Sequence, residues 1–286
     1  MHVYILGHDS SVIFYRKADY LLFFTIICCV AREMNVQIHA VSLMPNHVHI
    51  TAIFQSRDSV GLFIKKLKRI FDMHYELKHT HPIFRKGYGI APKLYPKKVI
   101  SNLAYVYNNP VAGHLSAKAS DYRWSFLAYA FSGNPFSEKI PLRNASMPLR
   151  RSIKLVDSYR AHNIPMAYNA QRLLFKNLKP REKEFLIDYI ITSYNVIDYG
   201  VLSKVFGSKD DAVRAFEIMA GDEFDVYEEH EDYAVYRRLS EAVYNLRTGI
   251  DFEAMSGPEL DKLREQLWYV TGASDKHLRR FLHICN

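Results

Sequence analysis

The chain has 286 residues, 49% of them apolar and 14% aromatic, enough to pack one large domain or two modest ones and too rich in apolar residues for a disordered chain. Its net charge of +8 is uneven: 19 Lys and Arg stand against 8 Asp and Glu up to Arg150, and 19 against 22 beyond it. A polyanionic partner, nucleic acid first among them, is expected for the N-terminal half, with a merely soluble basic surface as the plainer alternative.

The longest apolar run, "YLLFFTIICCVA" from Tyr20 to Ala31, has 12 residues, short of the ~20 that cross a bilayer. No charged segment followed by a small-residue cleavage site opens the chain, so secretion is not expected. Cys28 and Cys29 are adjacent and Cys285 stands apart, giving neither a CxxC pair nor a disulfide framework. The expectation is a cytoplasmic protein with no membrane partner.

In chain order, "HVYIL" reads as a short strand, and Lys17 to Met34, apolar throughout with charges at its ends, as a core-packed helix. "VQIHAVSLM" and "HVHITAIF" read as strands joined by "MPN", whose Pro and Asn form turns. From Ser59 to about Lys78, Val60, Phe63, Ile64, Leu67, Ile70, Phe71 and Tyr75 recur at helical spacing, leaving Lys65, Lys66, Lys68 and Arg69 on the outer face. A connector, "THPIFRKGYGIAPKLYP", leads to a helix over 97–109 that Pro110 is expected to halt. This order predicts an α+β domain whose antiparallel sheet is covered by helices on one face.

A Pro-, Ser- and Asn-rich stretch near 132–147 marks the boundary, so the expected organisation is a domain over 1–131, a linker over 132–150 and an all-α domain over 151–286. Helical spacing recurs at 181–194, 209–219, 231–246 and 258–270, the last followed by Gly272 and a further helix from about Ser274, like the opening of a helix-turn-helix. The same pattern is common in plain helical bundles.

Within "HVHITAIF", His47, His49 and Thr51 share one face of the strand and Val48, Ile50, Ala52 and Phe54 the other. Two imidazoles so placed can bind one cation if a third ligand arrives from elsewhere; they can equally be a histidine pair on a solvated sheet. His79 and His81 have the same spacing but run into Pro82, as an exposed loop would. In "NLAYVYNNPVAG", Tyr105 and Asn109 stack on one helix face while Tyr107 points elsewhere. That helix could supply a phenol and a carboxamide beside the imidazoles, or serve only for packing.

Together, "LMPNHVH" and "YVYNNPV" resemble the tyrosine transposases of the IS200/IS605 type, most closely the REP-associated group, within the HUH (His-hydrophobic-His) endonuclease superfamily. The likeness extends over about residues 2–130, through "HVYILG" and "DYRWSFLAYA", and departs from it at Leu6 and Ala112, where a basic residue is usual. The resemblance implies a ferredoxin-like core. It also implies His47, His49 and Asn109 as ligands of Mg²⁺ or Mn²⁺, and Tyr105 as the nucleophile that cleaves single-stranded DNA through a 5′-phosphotyrosine link at hairpin-associated sites.

DNA contacts would then come from Lys65, Lys66, Lys68, Arg69, Arg85, Lys86, Lys97 and Lys98, with Phe84, Tyr88 and Tyr95 as stacking rings. A bacterial, nucleoid-associated monomer or homodimer is expected. The rival readings are a DNA-binding regulator without chemistry, a replication initiator or relaxase, and a metallohydrolase acting on other substrates. Against the last, no carboxylate base lies near the histidines in sequence.

Overall fold

The apolar sides of three strands, Val3 and Ile5, Val41 and Leu43, and Val48, Ile50 and Ala52, are buried in one cluster. Shifting any of these strands by one residue would turn that set to the opposite face and bring the polar set into the core, so burial fixes the register. The structure is a computed structural model that describes residues 1–76, 81–93, 95–218, 232–246, 252 and 255–284. His79 and Cys285, Met219 and Glu231 at the ends of two expected helices, and Lys78 at the end of a third, lie outside the described residues.

β1 (His2–Leu6), α1 (Lys17–Glu33), β2 (Gln37–Met44), β3 (His47–Ile53), α2 (Arg57–His74) and β4 (Gly89–Ala91) follow one another in the chain. The strands form a four-stranded sheet in the order β2-β3-β1-β4, every pairing antiparallel. This is the split arrangement of a ferredoxin-like unit. Pro45 and Asn46 make the β2–β3 turn, and its backbone is pinned because Ile13 and Phe14 both donate to the Pro45 carbonyl, at 2.8 and 3.0 Å.

α1 and α2 pack together on the Val48–Ile50 side of the sheet. α3 (Pro96–Ala112) lies on the other side, against β2 and β3. The expectation of helices on one face is therefore corrected: the sheet is covered on both. Small residues make room for α3, since Ala40 of β2 and Ala104 of α3 are buried in one cluster. Pro110 does not halt α3. It sits in the last turn, where a missing N–H costs one hydrogen bond, and the helix closes at Gly113, which donates to the Asn109 carbonyl at 2.9 Å.

α1 is buried from Asp19 through Ala31 because α4 (Met147–Ala161), α5 (Tyr168–Phe175) and α6 (Pro180–Tyr194) form a layer over its outer side. Buried polar groups tie that layer down: Met166 N–H donates to Thr25 Oγ1 at 2.9 Å, and Tyr168 to Asp19 at 2.7 Å. α7 (Gly200–Phe206) and α8 (Lys209–Ile218) clamp the outside of α3, with Leu202 and Phe216 clustered on Val106 and Tyr107.

α9 (Ala234–Asn245), α10 (Gly257–Thr271) and α11 (Asp275–Leu282) form a small bundle. Its apolar centre includes Val12 and Met44 of the N-terminal region. Gly272, at φ +64, makes the left-handed turn between α10 and α11, a conformation that favours glycine. Among the described residues no helix is long and apolar enough to cross a membrane.

The bundle meets α3 at a tight point. A Cβ on Gly113 would lie 2.5 Å from Tyr233 Cδ2 and 3.1 Å from Met44 Cε. Gly113→Ala is therefore expected to cost about 1–3 kcal/mol by overpacking, read as a lower midpoint in thermal unfolding. Gly257→Ala, whose Cβ meets nothing within 4 Å, should leave the midpoint within about a degree.

Candidate active site

α3 and β3 run in opposite directions, and each carries one polar line into an otherwise apolar interface. Asn102, Tyr105 and Asn109 lie at i, i+3 and i+7 on the helix, about 10 Å from end to end. Thr51, His49 and His47 share a strand face that spans about 13 Å. The two lines meet residue by residue: Thr51 Oγ1 donates to Asn102 Oδ1 at 2.7 Å, the Tyr105 ring packs edge-on to His49 with centroids 5.2 Å apart, and His47 Nε2 lies 3.3 Å from Asn109 Oδ1. His47 and His49 are fully buried, Tyr105 is 2% exposed and Asn109 5%.

The structure thus brings together the four residues the sequence singled out. Tyr107 faces the other way. Its hydroxyl donates to the His39 carbonyl at 3.3 Å, and its ring lies 5.4 Å from that of Phe216. Burial, with Tyr199 close by, pushes that phenol well above its usual range.

The hydrogen bonds fix which nitrogen of His47 carries the proton. Asn46 Nδ2 donates to the Ser10 carbonyl at 3.1 Å, so Asn46 Oδ1 is the atom 2.7 Å from His47 Nδ1 and must accept from it. His47 Nε2 then faces the Asn109 carboxamide, with Oδ1 3.3 Å away. Two ligands at right angles about a cation with ~2.1 Å bonds stand about 3 Å apart, so the spacing fits a divalent ion.

His49 is set in a similar way by a residue the sequence reading missed. His2 of β1, 1% exposed, places Nε2 at 3.1 Å from His49 Nδ1. Burial, with His47 adding to it, holds the His49 imidazole well below its ordinary 6.5, so the ring is neutral at pH 7. In the tautomer whose Nδ1–H donates to His2, the His49 Nε2 lone pair faces the site, the usual wiring of a metal-binding histidine. Tyr4 stacks on the same ring at 5.1 Å.

Among the described residues no group of three His, Cys, Asp or Glu is arranged to hold a metal ion. A cation here would rest on two imidazoles and a carboxamide, a neutral set that leaves positions for anionic oxygens. The roles of His2 and Tyr4 were within reach of the sequence, since both fall on the His49 side of β1 by alternation. That of Asn46 was hidden behind its reading as a turn residue.

The basic residues are not gathered here. α2 lies on the opposite face of the sheet, where Lys66 pairs with Glu33 and Lys68 donates to the carbonyls of Arg85 and Gly87 at 2.8 and 2.9 Å. Burial pushes the Lys68 ammonium down to about 8. Lys65 is exposed, and Arg69, Arg85 and Lys86 line a groove of about 480 Å³ away from the histidines. Lys97 and Lys98 project from the first turn of α3, with Lys98 one turn before Asn102. Phe84 is a core ring, whereas Tyr88 and Tyr95 are 42% and 66% exposed.

Residues 2–109 match the family model described as Transposase IS200 like. The matched region is therefore transposase-like; it takes in all four strands and runs along α3 as far as Asn109. No curated protein and no solved structure matches the chain.

Two outcomes follow from the histidine geometry. The unfolded chain protonates His49 below about pH 6.5 while the folded site resists, so the stability this group contributes is complete above that pH and lost as pH falls. His49→Gln should flatten the fall of the thermal midpoint between about pH 7.5 and 5.5. By ¹⁵N NMR, His49 of the metal-free protein should be the Nδ1–H tautomer, and His2→Phe should shift it toward Nε2–H.

Proposed function

We propose that this protein is a divalent-metal-dependent, single-stranded DNA endonuclease and strand transferase of the transposase type, acting at hairpin-associated sites. Tyr105 is the nucleophile, and His47, His49 and Asn109 would hold Mg²⁺ or Mn²⁺. The observation that carries this reading is the convergence of the His47 Nε2 and Asn109 Oδ1 acceptors, 3.3 Å apart, one helical turn beyond a tyrosine that packs on the second histidine. The family match over the same residues supports it.

A bound divalent ion would polarise the scissile phosphate and offset the charge that develops in the transition state. Tyr105 Oη attacks phosphorus in line with the departing 3′ oxygen. The Oη–P bond forms as the P–O3′ bond breaks; the phenol gives up its proton and the 3′ oxygen takes one. The products are a 5′-phosphotyrosine and a free 3′-hydroxyl. One ester replaces another, so attack by a different 3′-hydroxyl reseals the strand without ATP, and the sequence has no GxxxxGK[ST] motif. In this reading His2 and Asn46, which contact the ring nitrogens turned away from the site, would orient the two imidazoles.

One observation favours a second reading, a DNA-binding regulator that performs no cleavage. Tyr105 is 2% exposed, and the Tyr233 ring lies over His47 with centroids 5.2 Å apart, so in this conformation the phenol is closed to a phosphate. The two readings part in one experiment: the full chain is incubated with labelled single-stranded hairpins and Mn²⁺ and run on a denaturing gel. Cleavage predicts a protein-linked oligonucleotide that is lost, at least about 100-fold, in Tyr105→Phe or with EDTA, and kept in Tyr107→Phe. Tight binding with no adduct at any metal concentration would uphold the regulator instead.

A further inference from the structure

Gly113 closes α3 at φ −86 and ψ 12, a negative φ that any residue can adopt, so the backbone does not ask for glycine there. What asks for it is Tyr233, the N-cap of α9. Its N–H donates to the Gly113 carbonyl at 3.0 Å, and a Cβ on Gly113 would lie 2.5 Å from its ring. Seated in that space, the ring lies over His47 with centroids 5.2 Å apart. His47 is fully buried beneath it, and Tyr233 itself is 8% exposed.

The bundle that carries Tyr233 is a unit fastened along one border. α9, α10 and α11 pack chiefly on one another. At the end of α11 three hydrogen bonds tie the bundle to the 12–15 segment: Val12 N–H donates to the Arg280 carbonyl at 3.1 Å, His283 Nε2 to the Val12 carbonyl at 2.9 Å, and the Tyr15 hydroxyl to the Phe281 carbonyl at 2.6 Å. Val12 and Met44 complete the fastening by entering the bundle's apolar centre. Along α9 the packing fails. A cleft of about 890 Å³ lies between that helix and the segment Asp121–Trp124. A unit with its own apolar centre, anchored at one border and unpacked along another, can leave as a rigid body at the cost of the anchoring contacts alone.

We propose that the α9–α11 bundle is an autoinhibitory cover for the histidine pair. Docked, it seats Tyr233 over His47; undocked, it opens the site to a phosphodiester. The proposal rests on the cleavage reading above and adds its regulation. Cover and phosphodiester compete for one place, so the rate falls with the fraction of time the bundle is docked, and every contact that fastens it is a contact against turnover. Gly113 belongs to that latch, as the space that admits the Tyr233 ring.

The test uses the full chain. Diethylpyrocarbonate, which carbethoxylates accessible imidazoles, is followed at each histidine by peptide mass spectrometry, and adduct formation on a labelled single-stranded hairpin with Mn²⁺ is timed in parallel. In the wild type His47 should react far more slowly than the exposed His162. Gly113→Ala and Tyr233→Ala should each speed both His47 modification and adduct formation by about 10-fold or more. Tyr15→Phe, which removes one latch hydrogen bond and no packing, should speed both about two- to tenfold. Gly257→Ala, in the bundle but with nothing within 4 Å of its Cβ, should match the wild type. His47 reacting alike in the wild type and all three latch variants would overturn the cover. So would adducts that the wild type forms and that a freed His47 does not accelerate. A freed His47 with no adduct from any chain, the wild type included, would instead sink the cleavage reading and leave the cover standing over the histidines.

Discussion

The structure depends on one match: a polar line on a helix set against a polar line on a strand, inside a protein that is otherwise packed with apolar side chains. A buried imidazole or amide without a partner costs several kcal/mol, so Thr51, His49 and His47 can sit under α3 only because Asn102, Tyr105 and Asn109 arrive at the same heights. The helix rises ~1.5 Å per residue and the strand ~3.4 Å. Seven residues of one therefore roughly answer four of the other, and a slip of either by one position would break all three contacts at once.

The rest of the fold serves that alignment from both sides. On the sheet, the apolar alternation holds β3 in register between β1 and β2, and its neighbours supply His2 and Asn46 to orient the imidazoles. Behind α3, Asn108 donates to the Phe216 carbonyl, and α7 and α8 press on Val106 and Tyr107. A phosphodiester needs an opening where Tyr233 covers His47, and the C-terminal bundle that supplies Tyr233 is tied to the 12–15 segment by Val12 N–H to the Arg280 carbonyl and Tyr15 to the Phe281 carbonyl.

Much of this was legible in the residues. Strict alternation gave the strand faces, and helical spacing put Tyr105 and Asn109 together and Tyr107 apart. What sequence could not supply was the face of the sheet that α3 takes, since an antiparallel sheet with one polar side is equally well read as solvated there. Pro110 misled for a local reason: it was weighed as a helix breaker, yet this close to the C-terminus it forfeits a single hydrogen bond, to the Val106 carbonyl, and the helix ends within a turn. The basic residues of α2 were grouped by sequence proximity, which says nothing about layers. Lys66 and Lys68 turned out to be braces, while the cleft beside α9 draws on positions from Phe14 to Asn245 that only tertiary structure assembles.

Because Tyr105 and Asn109 ride on one uninterrupted helix, the nucleophile and the amide ligand of the proposed chemistry would form a single mechanical unit. A protomer that lent its tyrosine to a neighbour would surrender its carboxamide in the same motion, and the helix would have to pull Tyr107 and Asn108 free of Phe216. Any exchange between subunits would therefore trade half-sites whole, so mixed dimers carrying one Tyr105 defect and one His47 defect distinguish the two assemblies: a swapped one regains one complete site and a self-contained one regains none.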